Sequence, residues 1–186
     1  MKTEKSIIAT AGMPGCGKGL ASQVAREVGL PVFACGDIIR EEVERRGLAP
    51  TPENVGKIML KIREEEGVGV VASRLIPRID ANQSNAVLVE GIRNIEEVNI
   101  LEKHYSRVTV AAIHASAENR FNRLRTRSRS DDPKTWKEFD ARDKRELDVG
   151  IGKVIALADK MLVNEGSIQK FKTNFAGLLR EALKLG

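Results

Sequence analysis

Aromatic residues are scarce in this chain, with one Trp, one Tyr and five Phe among 186 residues. Proteins that stack unpaired bases need aromatic rings on a strand platform, and no stretch here has that pattern. The two cysteines, Cys16 and Cys35, are too few for a disulfide framework, so reduced thiols are expected. The two histidines, His104 and His114, lie far apart without metal-ligand spacing around them, which argues against a structural zinc. No apolar run approaches the roughly 20 residues that span a bilayer, and "MKTEKSIIATAG" lacks the core and cleavage site of a signal peptide. A cytosolic protein is the expectation. There is also no nucleophile elbow, internal repeat, low-complexity tract or long linker, and residues 1–186 read as a single domain.

What the chain does have is positive charge, +5 in formal terms, and much of the excess sits in "RLRTRSR", residues 123 to 129. Charge this local points to a polyanionic ligand of limited size as readily as to a long one. A solvated face and a nucleic-acid surface are the competing explanations.

The strongest motif is "SIIATAGMPGCGKGLASQVAREVG", residues 6 to 29. Ile7 and Ile8 belong to a short buried strand, and Leu20, Val24 and Val28 recur at helical spacing. Between them Gly12, Gly17 and Lys18 match G-x-x-x-x-G-K, in which the backbone curls so that successive N–H groups face a phosphate. The helix N-terminus adds partial positive charge and Lys18 a full one. The donor site is therefore assigned to Gly12, Met13, Pro14, Gly15, Cys16, Gly17, Lys18, Gly19 and Leu20. Gly19 stands where Ser or Thr commonly gives Mg²⁺ a hydroxyl, so the ion needs other ligands or water. Cys16, beside Lys18 and a helix N-terminus, is expected to favour its thiolate and to be protected by ATP.

"GMPGCGKGL" resembles the G-x-P-G-x-G-K-G-T loop of adenylate kinases and related nucleoside monophosphate kinases, with Leu20 in place of threonine. "LPVFACGDIIREEVERRG", residues 30 to 47, contains a strand "PVFAC" and a helix expected to be capped by Asp37 and ended by Gly47. It resembles the G-D-x-x-R segment of that family. "NAVLVEGIRNIEEV", residues 85 to 98, is similar to its D-G-F-P-R turn, with Glu90 for aspartate. The resemblance implies an acceptor site of Gly36, Asp37, Arg40, Gly91, Arg93 and Arg142. It also implies Mg²⁺ or its water shell at Asp37 and Glu90.

Between these pieces Thr51 and Pro52 open a helix with Val55, Ile58, Met59 and Ile62 on one face, and a second helix covers Val70 to Ile79. Residues 35–80 correspond to the family's acceptor-binding region. After a fourth strand, "RVTVAAIHA", the chain reads as helix, loop and helix, the last expected to start with Asp132 as cap and Pro133 in its first turn. Arg123 and Arg127 share a helix face, Arg129 begins the loop, and Arg142 and Arg145 follow on the next helix. Crowded guanidinium groups repel unless an anion joins them, and a transferring phosphoryl group would. Residues 128–140 resemble the family's lid, and "ALADKMLVNEGSIQKF" looks like the ending of dephospho-coenzyme A kinases, where a base-binding loop precedes a final helix.

Alternating strands and helices predict a three-layer α/β domain with a mainly parallel five-stranded sheet and ligands at the strands' carboxyl ends. The whole chain resembles adenylate kinase-related P-loop kinases, in particular a prokaryotic group of that description. This implies an ATP- and Mg²⁺-dependent phosphotransferase acting on a nucleotide-like or small phosphorylated acceptor, AMP first. Lys18, Asp37, Arg93, Arg123, Arg127 and Arg129 would carry the transfer. For a hydroxyl acceptor, as in dephospho-coenzyme A or shikimate kinases, Asp37 would be the base. The alternative from another class is a slow, nucleotide-gated ATPase that assembles RNA or protein.

Overall fold

In the computed structural model the described residues are 2–127, 129 and 132–183. The chain runs through β1 (Thr3–Ala11), α1 (Lys18–Glu27), β2 (Val32–Ala34), α2 (Cys35–Arg45), α3 (Pro52–Glu66), α4 (Val70–Ala81) and β3 (Ala86–Ile92). It continues with α5 (Ile95–His104), β4 (Tyr105–His114), α6 (Ala117–Arg127), α7 (Trp136–Val149), α8 (Ile151–Ala156), β5 (Lys160–Val163) and α9 (Ile168–Leu183).

The strands form one parallel five-stranded sheet in the order β2-β3-β1-β4-β5. Alternation along β1 divides the core. Ile7 and Ala9 join an apolar cluster with Ile38, Ile62, Leu75 and Leu101, drawn from α2 to α5. Ile8 faces the other side and packs with Val24 of α1 and Phe171 and Phe175 of α9. Two buried faces explain why the centres of β1, β3 and β4 are continuous apolar runs, Ile7–Ala9, Val87–Val89 and Val110–Ile113. The three-layer α/β architecture is the one the sequence predicts.

The parallel order brings the carboxyl ends of β1, β3, β4 and β5 to one edge. Beyond β1 lies the glycine loop, and between Thr10 and Ala11 the β1–β3 register shifts, so that Glu90 pairs with Thr10 and Ile92 with Ala11. Gly91 is the extra residue of this bulge, at φ +92°, and Arg93 stands just past the end of the strand.

Local chemistry fixes the helix starts. Thr51 accepts from the Asn54 N–H with Pro52 next to it, as the sequence predicts. Two expected caps are corrected. β2 ends at Ala34 and Cys35 already opens α2, which puts Asp37 in the first turn, where it meets the helix dipole without capping. α7 begins at Trp136 under a capping box of Thr135 and Glu138, and Asp132 lies outside it. Thr135 wins because Glu138 stands three residues on and satisfies its N–H in return.

Candidate functional site

The glycine loop is held from behind by residues remote in sequence. Asn164, just past β5, donates to the Cys16 carbonyl at 2.8 Å, and its own backbone N–H reaches His114 at 2.7 Å. A Cβ on Gly17 would lie 2.3 Å from the Asn164 amide nitrogen, and φ there is +117°, so only glycine fits. Arg120 of α6 donates to the Pro14 carbonyl at 3.2 Å and makes a bidentate pair with Asp143 of α7 at 2.9 and 2.6 Å. The loop is thus preformed. Lys18 folds its ammonium back onto the carbonyls of Gly12 and Met13, and lies 3.8 Å from the Cys16 sulfur.

Across from the loop, Arg93 donates through Nε to Glu146 of α7 at 2.7 Å. Glu146 is buried, its side chain 4% exposed. Burial raises its carboxyl, but the positive charges of Arg93, Lys18 and Arg142 outweigh that and hold it below the usual range. Arg93 is correspondingly raised, chiefly by the charge of Glu146. Of these three cations, Arg93 is the one in direct contact with the Glu146 carboxylate.

A second carboxylate gathers the arginine-rich segment. Asp132, its side chain 2% exposed, accepts from Arg127 Nε at 2.9 Å and the Arg129 N–H at 3.0 Å, with Arg142 at 3.5 Å. Arg123 donates to the Asn164 carbonyl at 2.8 Å, and its Nη1 is buried with no hydrogen-bond partner among the described residues. Beside the loop a cleft of about 190 Å³ is lined by Asn164, Glu165, Ser167, Lys170, Phe171 and Asn174, among others.

Residues 11–140 match the model of the AAA domain family designated AAA_17. A UPF0200 protein of Hyperthermus butylicus is 49% identical over 173 residues, spanning 93% of this chain and 92% of the relative. One from Pyrococcus abyssi is 46% identical over 181 residues, spanning 95% and 97%. The chain belongs to the UPF0200 family. Among solved structures it resembles the Thermus thermophilus protein TT1252, with a TM-score of 0.66, 22% identity and coverage of 96% and 98%. It also resembles a shikimate kinase of Acinetobacter baumannii solved with shikimate, with a TM-score of 0.59, 18% identity and coverage of 98% and 96%. At these identities the likeness shows the fold, a P-loop kinase-like one.

In this UPF0200 chain the predicted residues divide into groups. Lys18 lies on the Gly12 and Met13 carbonyls, Arg93 pairs with Glu146, and Arg127, the Arg129 backbone N–H and Arg142 meet at Asp132. Asp37 and Arg40 pair with each other at the surface, with about half of each side chain exposed. Gly36 lies under the Arg40 guanidinium, 3.2 Å from where its Cβ would be. Glu90 is held by the Ser22 hydroxyl of α1. Gly19 faces open space, whereas Cys16 is fully buried in the α1–α9 apolar cluster. Its thiol points inward, which corrects the expectation of a reactive thiolate facing phosphates. Ser128, Ser130 and Asp131 of the expected lid lie outside the described residues.

Sequence reasoning missed Ser22, Arg120, Asp143, Glu146 and Asn164. The signal for two of them was available: Asp143 and Glu146 in "RDKRE" are three apart and so share a face of α7. That face is fixed to the body by Arg120 and Arg93, while Arg145 lies across Gly56 of α3, 3.1 Å from where its Cβ would be. α7 thereby spans from the glycine loop to the 35–80 region.

Among the described residues no three His, Cys, Asp or Glu side chains cluster as a metal site. Mg²⁺ needs no such cluster, because it keeps several waters and is carried by phosphates with one or two carboxylates. Glu90, beside the loop and oriented by Ser22, is suited to hold that water shell. Asp37 is the other candidate.

Proposed function

We propose that the chain is an ATP-dependent phosphotransferase that moves the γ-phosphoryl group of ATP to a small acceptor. The observation that carries this reading is the preformed loop with Lys18 turned onto its own carbonyls, opposite Arg93 and Arg142. Phosphoryl transfer needs little covalent chemistry from a protein. It needs positioning and positive charge fixed before the reaction, and both are built into this edge of the sheet.

Lys18 would leave Gly12 and Met13 for the donor phosphates, joined by the amides at the head of α1. Mg²⁺ would supply further neutralisation of the phosphate oxygens. Arg123, with a buried Nη1 that no described residue partners, and Arg127 and Arg129 would gather the transferring charge as residues 128–140 close. The base of ATP fits the cleft at Asn164 and Phe171. AMP, the acceptor that the adenylate kinase resemblance suggests, would be gripped by Arg40 and Arg93. A hydroxyl acceptor would instead use Asp37 as its base.

The test is an acceptor screen. The chain is incubated with γ-labelled ATP, Mg²⁺ and, in parallel, AMP, CMP, UMP, dephospho-coenzyme A, shikimate, gluconate or water alone. Label on one acceptor, at a rate well above the water control, supports the reading. Label released only as free phosphate, equally in every reaction, supports the assembly ATPase instead.

A further inference from the structure

Resting on the phosphotransferase reading, we propose that Glu146 permanently fills the anion place on Arg93, so that the acceptor meets the transferring group with a hydroxyl and not with a phosphate. Arg93 is the side chain that would hold an acceptor phosphate, yet its Nε is 2.7 Å from the Glu146 carboxylate. A phosphate there must either expel Glu146 or lie beside it. Lying beside it sets two anions together where the Glu146 side chain is 4% exposed and that of Arg93 22%, so their repulsion is screened less than in bulk solvent.

Expulsion is opposed by the way α7 is fastened. Asp143, one turn earlier on the same face, is held by both Arg120 nitrogens, and Arg120 also carries the Pro14 carbonyl. Withdrawing Glu146 by shifting α7 would therefore pull on the Arg120–Asp143 pair and, through Arg120, on the Pro14 carbonyl of the glycine loop. Phe139, on the same helix, is 2% exposed, with the Arg120 guanidinium 4.8 Å from its ring centroid. These contacts make Glu146 a built-in part of the site.

Glu146 already sets a carboxylate on Arg93, and a hydroxyl acceptor brings no second anion to stand beside it. In that reaction the acceptor oxygen bonds to the γ-phosphorus, the bond from that phosphorus to the β–γ bridging oxygen breaks, and ADP leaves with the electron pair. The hydroxyl proton passes to the Asp37 carboxylate, which sits half-exposed at the head of α2.

The experiment compares AMP binding to the wild type and to Glu146→Gln by calorimetry, with the donor site filled by a non-hydrolysable ATP analogue and Mg²⁺. Glutamine keeps the size and removes the charge. We expect Glu146→Gln to bind AMP at least about tenfold more tightly than the wild type, and the gain to vanish in Glu146→Gln/Arg93→Gln. Equal AMP affinity, or a gain that survives loss of Arg93, overturns the proposal. A measurement on the wild type stands apart from the variants: label transferred from ATP to AMP faster than to any hydroxyl acceptor overturns it as well. Failure to bind the ATP analogue overturns the phosphotransferase reading instead, and the AMP comparison is then read without it.

Discussion

The Asn164 side chain and the Cys16 carbonyl, 148 residues apart, are joined at 2.8 Å, and this bond ties the end of β5 to the middle of the phosphate loop. Asn164→Ala leaves a buried carbonyl unpaired, at a cost of about 1–3 kcal/mol. A lower melting temperature and weaker ATP binding are both expected. Weaker binding with unchanged stability would mean that Asn164 touches the ligand only.

Cys16 and Cys35 are both fully buried, and burial also pushes the Cys35 thiol well above its ordinary range. Alkylation of the folded chain should therefore be slow at both sites even without nucleotide. It should slow further with ATP, because a filled loop opens less often. Fast modification of Cys16 in the free protein would contradict its inward placement.

Glu146 and Asp132 are both held below the ordinary carboxyl range. Such a carboxyl binds protons more readily once the chain unfolds, so its contribution is present above the unfolded value near about 4 and is lost as pH falls through the folded one. Glu146→Gln leaves Arg93 without its partner and should lower the urea midpoint at pH 7. The deficit should shrink as the pH drops below about 4. A deficit that stays constant from pH 7 to pH 3 would show that the ion pair is not its source.

Trp136 is 51% exposed and rests edge-on against Phe121 with centroids 5.2 Å apart, so one face of the ring is free to change its surroundings. If residues 128–140 close over two ligands, a two-headed analogue joining donor and acceptor should shift its emission more than ATP alone. Tight binding of that analogue with no change in Trp136 emission would leave the segment without a lid's role.

The fold and the glycine loop between β1 and α1 were legible because their signals are local. Gly12, Gly17 and Lys18 lie within seven residues, and apolar strands alternate with helical patterns. The charge balance of the site was not legible in the same way. Arg93 meets Glu146 across 53 residues, and nothing near either one names the other. The Asp132 cap was misread for a related reason: an acidic residue before proline suits a helix start, but the arginines drawn to it by the fold use its oxygens first. Cys16 was misjudged because sequence neighbours say which residues adjoin a thiol and not which way it points.

The central claim is that Lys18 and its loop support transfer from ATP, and a single-turnover comparison tests it most directly. Excess wild-type chain and Lys18→Ala are each mixed with γ-labelled ATP, Mg²⁺ and the acceptor found in the screen, and label leaving ATP is followed in time. Loss of one preorganised charge of this kind costs about 3 kcal/mol or more, so Lys18→Ala should be slower by about a hundredfold or more. Equal rates for the two proteins would contradict the account.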